Sequence, residues 1–186
     1  VYIKKVADAG FAQPDLLKAE ADFAALREDA RYQAALALIE KNAHPCDTGP
    51  FRDFDFWIGE WDVTAAGVTA GTSSIQQILN QCVIQENYTG QGGYSGKSFN
   101  IYDTGSKEWR QFWVDNGGSL VEFHGRYDDG KLEYHADTVQ PDGTHVQRRM
   151  IFVRMPEGNV RQYSEQSSDG GKKWSLEYDL LYTRKS

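Results

Sequence analysis

The chain has no surplus of positive charge: 20 Lys and Arg stand against 27 Asp and Glu, a formal net charge of −7. A nucleic-acid backbone is held by clustered cations. No basic run here exceeds two residues, as at Lys172-Lys173 and Arg148-Arg149, so no nucleic-acid surface is expected. No apolar run approaches the roughly 18–20 residues of a membrane-spanning helix, which excludes a helical span. Catalytic signatures are missing as well. G-x-S-x-G, H-E-x-x-H, a Walker loop and a G-x-G-x-x-G ahead of a helix are all absent. The Gly-rich stretch GQGGYSG falls in an expected hairpin rather than before a helix N-terminus, where a phosphate would be cradled.

Cysteine is scarce. Cys46 and Cys82 are the only two, and they admit two readings: unrelated buried thiols, or a disulfide whose loop of about 36 residues would add roughly 4 kcal/mol in the chain-entropy picture. The second reading implies an oxidising compartment. A metal site is not expected, because neither Cys has a second Cys or His at the usual ligand spacing. The opening VYIKKVADAGF lacks the apolar core of a signal peptide and begins at Val1. It reads as a processed product or a piece of a longer chain.

What is present is enough for a folded body. With 13% aromatic and 25% charged residues, wholesale disorder is excluded, and 186 residues suit one ordinary domain with an appendage. The appendage is residues 1–45. Leu16, Leu17, Phe23, Leu26, Tyr32, Leu36 and Ile39 recur at spacings of three and four, the mark of short amphipathic helices. Pro14 suits a first helical turn, and Asp22 and Asp29 suit N-caps. The segment resembles one incomplete unit of a tetratricopeptide-type repeat. A single unit cannot bury its own face, so a helical cap is the simpler reading. NAHPCDTGPFRD then breaks the helix and marks the boundary.

Residues 46–186 speak in strands. Alternating segments are expected at 60–66, 71–79, 82–90, 96–102, 108–116, 119–127, 131–139, 145–155, 160–168 and 174–184. Between them lie DTGSKE, NGGS, DDGK, QPDGT, MPEGN and SDGGKK, whose Gly, Asp, Asn and Pro supply hairpin-turn chemistry. About ten strands joined by hairpins, with no helical crossover, predict a mainly β fold: an antiparallel up-and-down sheet that closes into a barrel and so removes its edges. In the last strand Trp174, Leu176, Tyr178, Leu180 and Tyr182 alternate with polar residues, as a half-buried strand requires. SSDGGKKW matches the S-x-D-x-G-x-x-W hairpin called an Asp-box, in which Asp169 bonds turn amides over Trp174.

The stretch FDFWIGEWDV concentrates two Trp, two Phe and three carboxylates around Gly59. Its GEW resembles the G-x-W signature of lipocalins and their calycin relatives. That resemblance implies that Trp61 closes one end of the barrel and that Arg184, in LLYTRKS, lies across its indole. Such a stack contributes on the order of 1–2 kcal/mol when desolvated. Phe56 and Trp57 would join the stopper. Over residues 54–185, FDFWIGEWDV, QCVIQENYTG, YSGKSFNIYD and EWRQFWVDNGG are together similar to a bacterial calycin-like family of unknown function. The likeness implies a periplasmic or secreted protein with a Cys46–Cys82 disulfide, and brings no activity with it.

Small closed barrels often hold one ligand. Several central strands carry polar and aromatic groups on one alternating face: Ile84, Glu86 and Tyr88; Ser98, Asn100 and Tyr102; Trp109, Gln111, Trp113 and Asp115; Glu122, His124 and Arg126; Arg148 with Val146, Met150 and Phe152. If these faces point inward, Glu86, Asn100, Tyr102, Gln111, Trp113 and Arg148 form a site for a small, largely apolar molecule with one polar end. The alternative sets Glu86 and Gln111 on the surface, since a one-residue slip exchanges the faces. Two other functions stay open. One is an enzyme of cyclase, isomerase, lyase or hydrolase type, with Glu86 as general acid or base and His124 or Tyr102 as partner. The other is an interaction module whose N-terminal helices dock a protein partner. No cofactor is implied, with haem on His124 or His135 as the one alternative.

Overall fold

The computed structural model describes residues 2–185 of the chain. It divides into two compact units, one ending at Thr48 and the other beginning at Gly49. The first contains α1 (Tyr2–Asp8), α2 (Pro14–Ala19), a 3-10 turn over Ala21–Leu26 and α3 (Ala30–Ala43). Pro14 opens α2, where its missing N–H costs nothing. Asp29 caps α3, its carboxylate accepting from the Arg31 amide at 2.8 Å. Asp22 is not a cap. That place belongs to Glu20, whose side chain accepts from the Asp22 amide. Ala7, Leu17, Tyr32, Ala35, Leu36 and Ile39 form the unit's own small core. Asn42 ties its ends together by donating to the carbonyls of Ala7 and Phe11.

The second unit is a closed antiparallel barrel of ten strands, each paired with its neighbours in sequence and β1 with β10. The strands are β1 (Gly59–Ala65), β2 (Val68–Ile78), β3 (Val83–Gly90), β4 (Ser95–Asp103) and β5 (Glu108–Asp115), followed by β6 (Leu120–Asp128), β7 (Lys131–Val139), β8 (His145–Arg154), β9 (Val160–Ser167) and β10 (Ser175–Arg184). Each connection is short because the turn residues permit it. At Asp129-Gly130 both residues take positive φ, the twist that a two-residue hairpin needs. Two bulges interrupt the register, one in β2 at Ala70, opposite Val63 and Thr64 of β1, and one in β10 between Leu176 and Tyr178. A bulge adds one residue to one strand and re-aims the side chains around it. Both cysteines are disulfide-bonded.

Antiparallel closure makes the start of β1 and β5 share one end of the barrel with the end of β8 and β10. That end is filled with rings. Phe54, Trp57 and Trp61 have no exposed surface, and Phe56 is only partly buried. Phe54 stacks on Trp57 with ring centroids 4.9 Å apart, and Phe152, Trp109 and Tyr134 close round it. The Trp61 indole donates to the Trp57 carbonyl at 2.8 Å. Arg184, the register partner of Trp61, sets its guanidinium carbon 4.5 Å from the ring centroid. Gly59 leaves room for this stack: a Cβ there would lie 2.6 Å from an Arg184 nitrogen, on a backbone with φ of +145°. Tyr182 then packs against both Trp57 and Trp61 from the inside.

Candidate functional site

Above this stopper the interior is not filled. A cavity of about 440 Å³ extends toward the opposite end of the barrel, a size at which small-molecule sites are common. Its walls are mostly rings and aliphatic groups, among them Tyr88, Trp113, Val121, Phe123, Tyr178 and Leu180. Strand alternation puts them there. In β3, Ile84, Glu86 and Tyr88 share the inner face, and in β5 Trp109, Gln111 and Trp113 do. In β6 the inner face is Val121, Phe123 and Gly125. The expectation that Glu122, His124 and Arg126 face inward is overturned, because the apolar members of that strand take the interior and the charged ones take solvent.

Glu86 is the chemical centre of the cavity and is 3% exposed. The Ser73 hydroxyl donates to its Oε1 at 2.9 Å and the Ser98 hydroxyl to its Oε2 at 3.1 Å. Tyr182 lies 3.3 Å from Oε1 but 2.6 Å from Gln162 Oε1. The Tyr182 hydroxyl donates toward both oxygens, the shorter and stronger bond going to Gln162. Loss of water pushes the Glu86 carboxyl up to about 7, against the downward pull of the Ser73, Ser98 and Tyr182 hydrogen bonds. Burial likewise raises the Tyr178 and Tyr182 phenols, which stay neutral.

A polar chain supports the carboxyl from behind. Asn100, fully buried, donates to the Ser98 hydroxyl and to the Ile84 carbonyl. Its own oxygen accepts from Gln111 at 2.9 Å and from Tyr134 at 3.1 Å. On the other side Gln162 donates to the Met150 sulfur and the Tyr178 hydroxyl. Arg148 reaches the cavity wall half-buried. Its Nε donates to Glu177 at 3.2 Å and Nη1 to the Thr138 hydroxyl at 2.5 Å, while Ser164 donates to the second Glu177 oxygen. At the mouth, Asp115 accepts from the amides of Ser119 and Gly117 and from the Tyr94 hydroxyl. The Ser119 amide is the first cause of its lowered pKa, so it is ionised.

Of the residues singled out by sequence, Glu86, Gln111, Trp113 and Arg148 line the cavity together, and Asn100 stands directly behind Gln111. Tyr102 does not join them. It packs beside Phe51 and Trp109 toward the stoppered end. His124 and His135 are neighbours on the outer wall, about half exposed, near Glu108 and Glu133. Neither lines the cavity, so neither can partner Glu86 or ligate a haem there. Among the described residues no group of three or more His, Cys, Asp or Glu side chains could hold a metal.

Sequence reading passed over Ser73, Gln162, Tyr178, Tyr182 and Glu177. Tyr178 and Tyr182 were visible as members of the inward face of the last strand. Ser73 and Gln162 sit in runs of polar residues with no contrast between faces. Glu177 was assigned outward by strict alternation, and the β10 bulge reverses this: Glu177 lines the cavity while Leu176 is 61% exposed. No protein-family model matches the chain, and no curated protein matches it.

Proposed function

We propose that the barrel binds a small molecule with an apolar body and one polar end, the polar end directed at Glu86. The observation that carries this reading is the cavity itself: ringed by aromatic and aliphatic walls, with a single buried carboxyl set among convergent hydroxyls. A core needed only for stability would fill that space with side chains, because interiors pack to crystal density. The closed antiparallel barrel with an arginine stacked on its stoppering tryptophan is compatible with a lipocalin-like fold. Kinship with that superfamily is part of the same proposal. The disulfide supports a periplasmic or secreted setting.

The test uses N-phenyl-1-naphthylamine, an uncharged probe whose fluorescence rises in apolar surroundings. The protein should capture it saturably, and Val121→Trp, which fills the cavity from its wall, should abolish capture without loss of fold. Absence of capture, or capture indifferent to the filling variant, overturns the reading. One observation favours a second role. A carboxyl that titrates near neutrality in a site shielded from water, beside a phenol, can act as a general acid or base. Turnover lost in Glu86→Gln with probe capture intact would establish it.

A further inference from the structure

Resting on that binding role, we infer that the polar end of the ligand is a protonated amine, seated against Glu86 inside the aromatic wall. Three observations converge. First, Glu86 has hydroxyl partners but no cationic one among the described residues. The one guanidinium on the cavity wall, Arg148, is already held by Glu177 and Thr138. Second, the lining carries three carboxylates, Glu86, Asp115 and Glu177, against that single paired cation. An anionic head group would find no free positive charge inside and a chain of net charge −7 around it. Third, the passage from mouth to floor is framed by Tyr94, Tyr88 and Trp113, with Tyr88 centroids 6.2 and 6.4 Å from the other two. Ring faces are electronegative and attract ammonium groups.

The alternatives fare worse on the same geometry. A carboxylate ligand would meet the ionised Asp115 as a like charge, and would oppose ionisation of Glu86. A neutral alcohol could exchange hydrogen bonds with Glu86, Ser73 and Ser98 yet would leave the acidic excess uncompensated. A cation satisfies both the floor and the rings. Because burial holds the proton on Glu86 up to about pH 7, seating a cation below that pH expels the proton, and capture is coupled to pH. The other titratable groups turned toward Glu86 are Tyr88, Tyr178 and Tyr182, with Arg148 and Glu177 on the same wall. The phenols, all raised, remain neutral through this range.

Two matched series decide the matter by calorimetry at pH 7.5: octylamine, octanol and octanoate, and tryptamine, tryptophol and indole-3-propionate. In at least one series the amine should bind about tenfold more tightly than its alcohol, with the acid weaker still. Glu86→Gln should erase the amine's advantage, so that amine and alcohol bind this variant with affinities within about twofold of each other. Should that variant fail to fold, the wild type suffices, since amine affinity should climb from pH 6 to pH 8 while alcohol affinity stays level or falls. Alcohol or acid binding as tightly as amine, or an amine preference that survives Glu86→Gln or shows no such climb, overturns the inference and leaves the binding role intact. If neither the naphthylamine nor any series member binds the wild type, the binding role itself falls and takes the inference with it.

Discussion

Exchanging Glu86 for Gln keeps the side chain's shape and removes its titration, so the variant isolates what the buried acid does to stability. In the folded barrel the carboxyl holds its proton up to about 7, whereas its ordinary value is 4.5. Below pH 4.5 both folded and unfolded chains are protonated and the contribution is fully present. Between 4.5 and about 7 the unfolded chain has released the proton while the folded chain keeps it, so stability declines as pH rises. Above 7 the loss is complete. Each pH unit is worth about 1.4 kcal/mol, so the window spans on the order of 3 kcal/mol. Urea titrations at pH 4.5, 5.5, 6.5 and 8, followed by tryptophan fluorescence, measure it. All five tryptophans lie beyond Gly49, so the signal reports the barrel alone. Asp53 and Asp55, also raised by burial, titrate in both proteins and cancel in the difference. The wild type should lose stability relative to Glu86→Gln across this window. Parallel profiles for the two proteins would mean that Glu86 is hydrated and ionised throughout, and the account of the site would be wrong.

Five further perturbations have expected outcomes. Gly59→Ala should lower barrel stability by about 2 kcal/mol through backbone strain and displacement of Arg184 from Trp61; Arg184→Ala, which loses an exposed stack only, should cost about 1 kcal/mol or less by the same denaturation assay. Asp169→Ala should lower the melting temperature in calorimetry, because its carboxylate holds the amides of Lys172 and Lys173 that form the turn above Trp174. The lowered pKa of Asp169 means that the gap between wild type and variant should narrow in acid. Tyr182→Phe keeps the ring against Trp57 and Trp61 but removes a hydrogen bond that holds Glu86 down, so the upper end of the Glu86 window should move above pH 7. Reduction of the disulfide should lower stability by roughly 4 kcal/mol for a closed loop of about 36 residues, seen as a lower denaturation midpoint.

Much of the barrel could be read from local chemistry, because strand alternation and turn residues are local signals. The expected strand ends fall within three residues of the observed ones, and the hairpin order leaves closure as the only way to pair β1 and β10. The inner faces of β3, β4, β5 and β8 were legible for the same reason: each mixes large apolar groups with its polar ones, as Ile84 and Tyr88 flank Glu86. Where sequence failed, the cause was non-local. In β6 the search for polar groups led to His124, although Val121 and Phe123 already marked the opposite face as the buried one. The bulge in β10 leaves no trace in an otherwise regular alternation, and it alone decides that Glu177 rather than Leu176 meets Arg148. Of the hydroxyls near Glu86, those of Ser73 and Ser98 come from β2 and β4, the hairpin neighbours of β3, and only that of Tyr182 on β10 is brought there by closure.

The stopper and the site are one structure, and Tyr182 is the residue they share. Its ring is part of the aromatic floor that Phe54, Trp57 and Trp61 build, and its hydroxyl points at Glu86 and Gln162. A barrel that only needed to be stable would carry an aliphatic residue at position 86, since isosteric apolar replacements of buried charged groups are commonly neutral or stabilising. Here the acid is instead supported by two serines and backed by a buried asparagine, each adding polar atoms that must be satisfied in turn. The aromatic excess of FDFWIGEWDV accounts for how that is tolerated. Fully buried rings at one end supply apolar area, at roughly 25 cal/mol per Å², which offsets an unfilled and partly polar interior at the other. The division along the barrel axis, rings packed below and an unfilled, partly polar cavity above, supports the proposed binding role over a filled spacer.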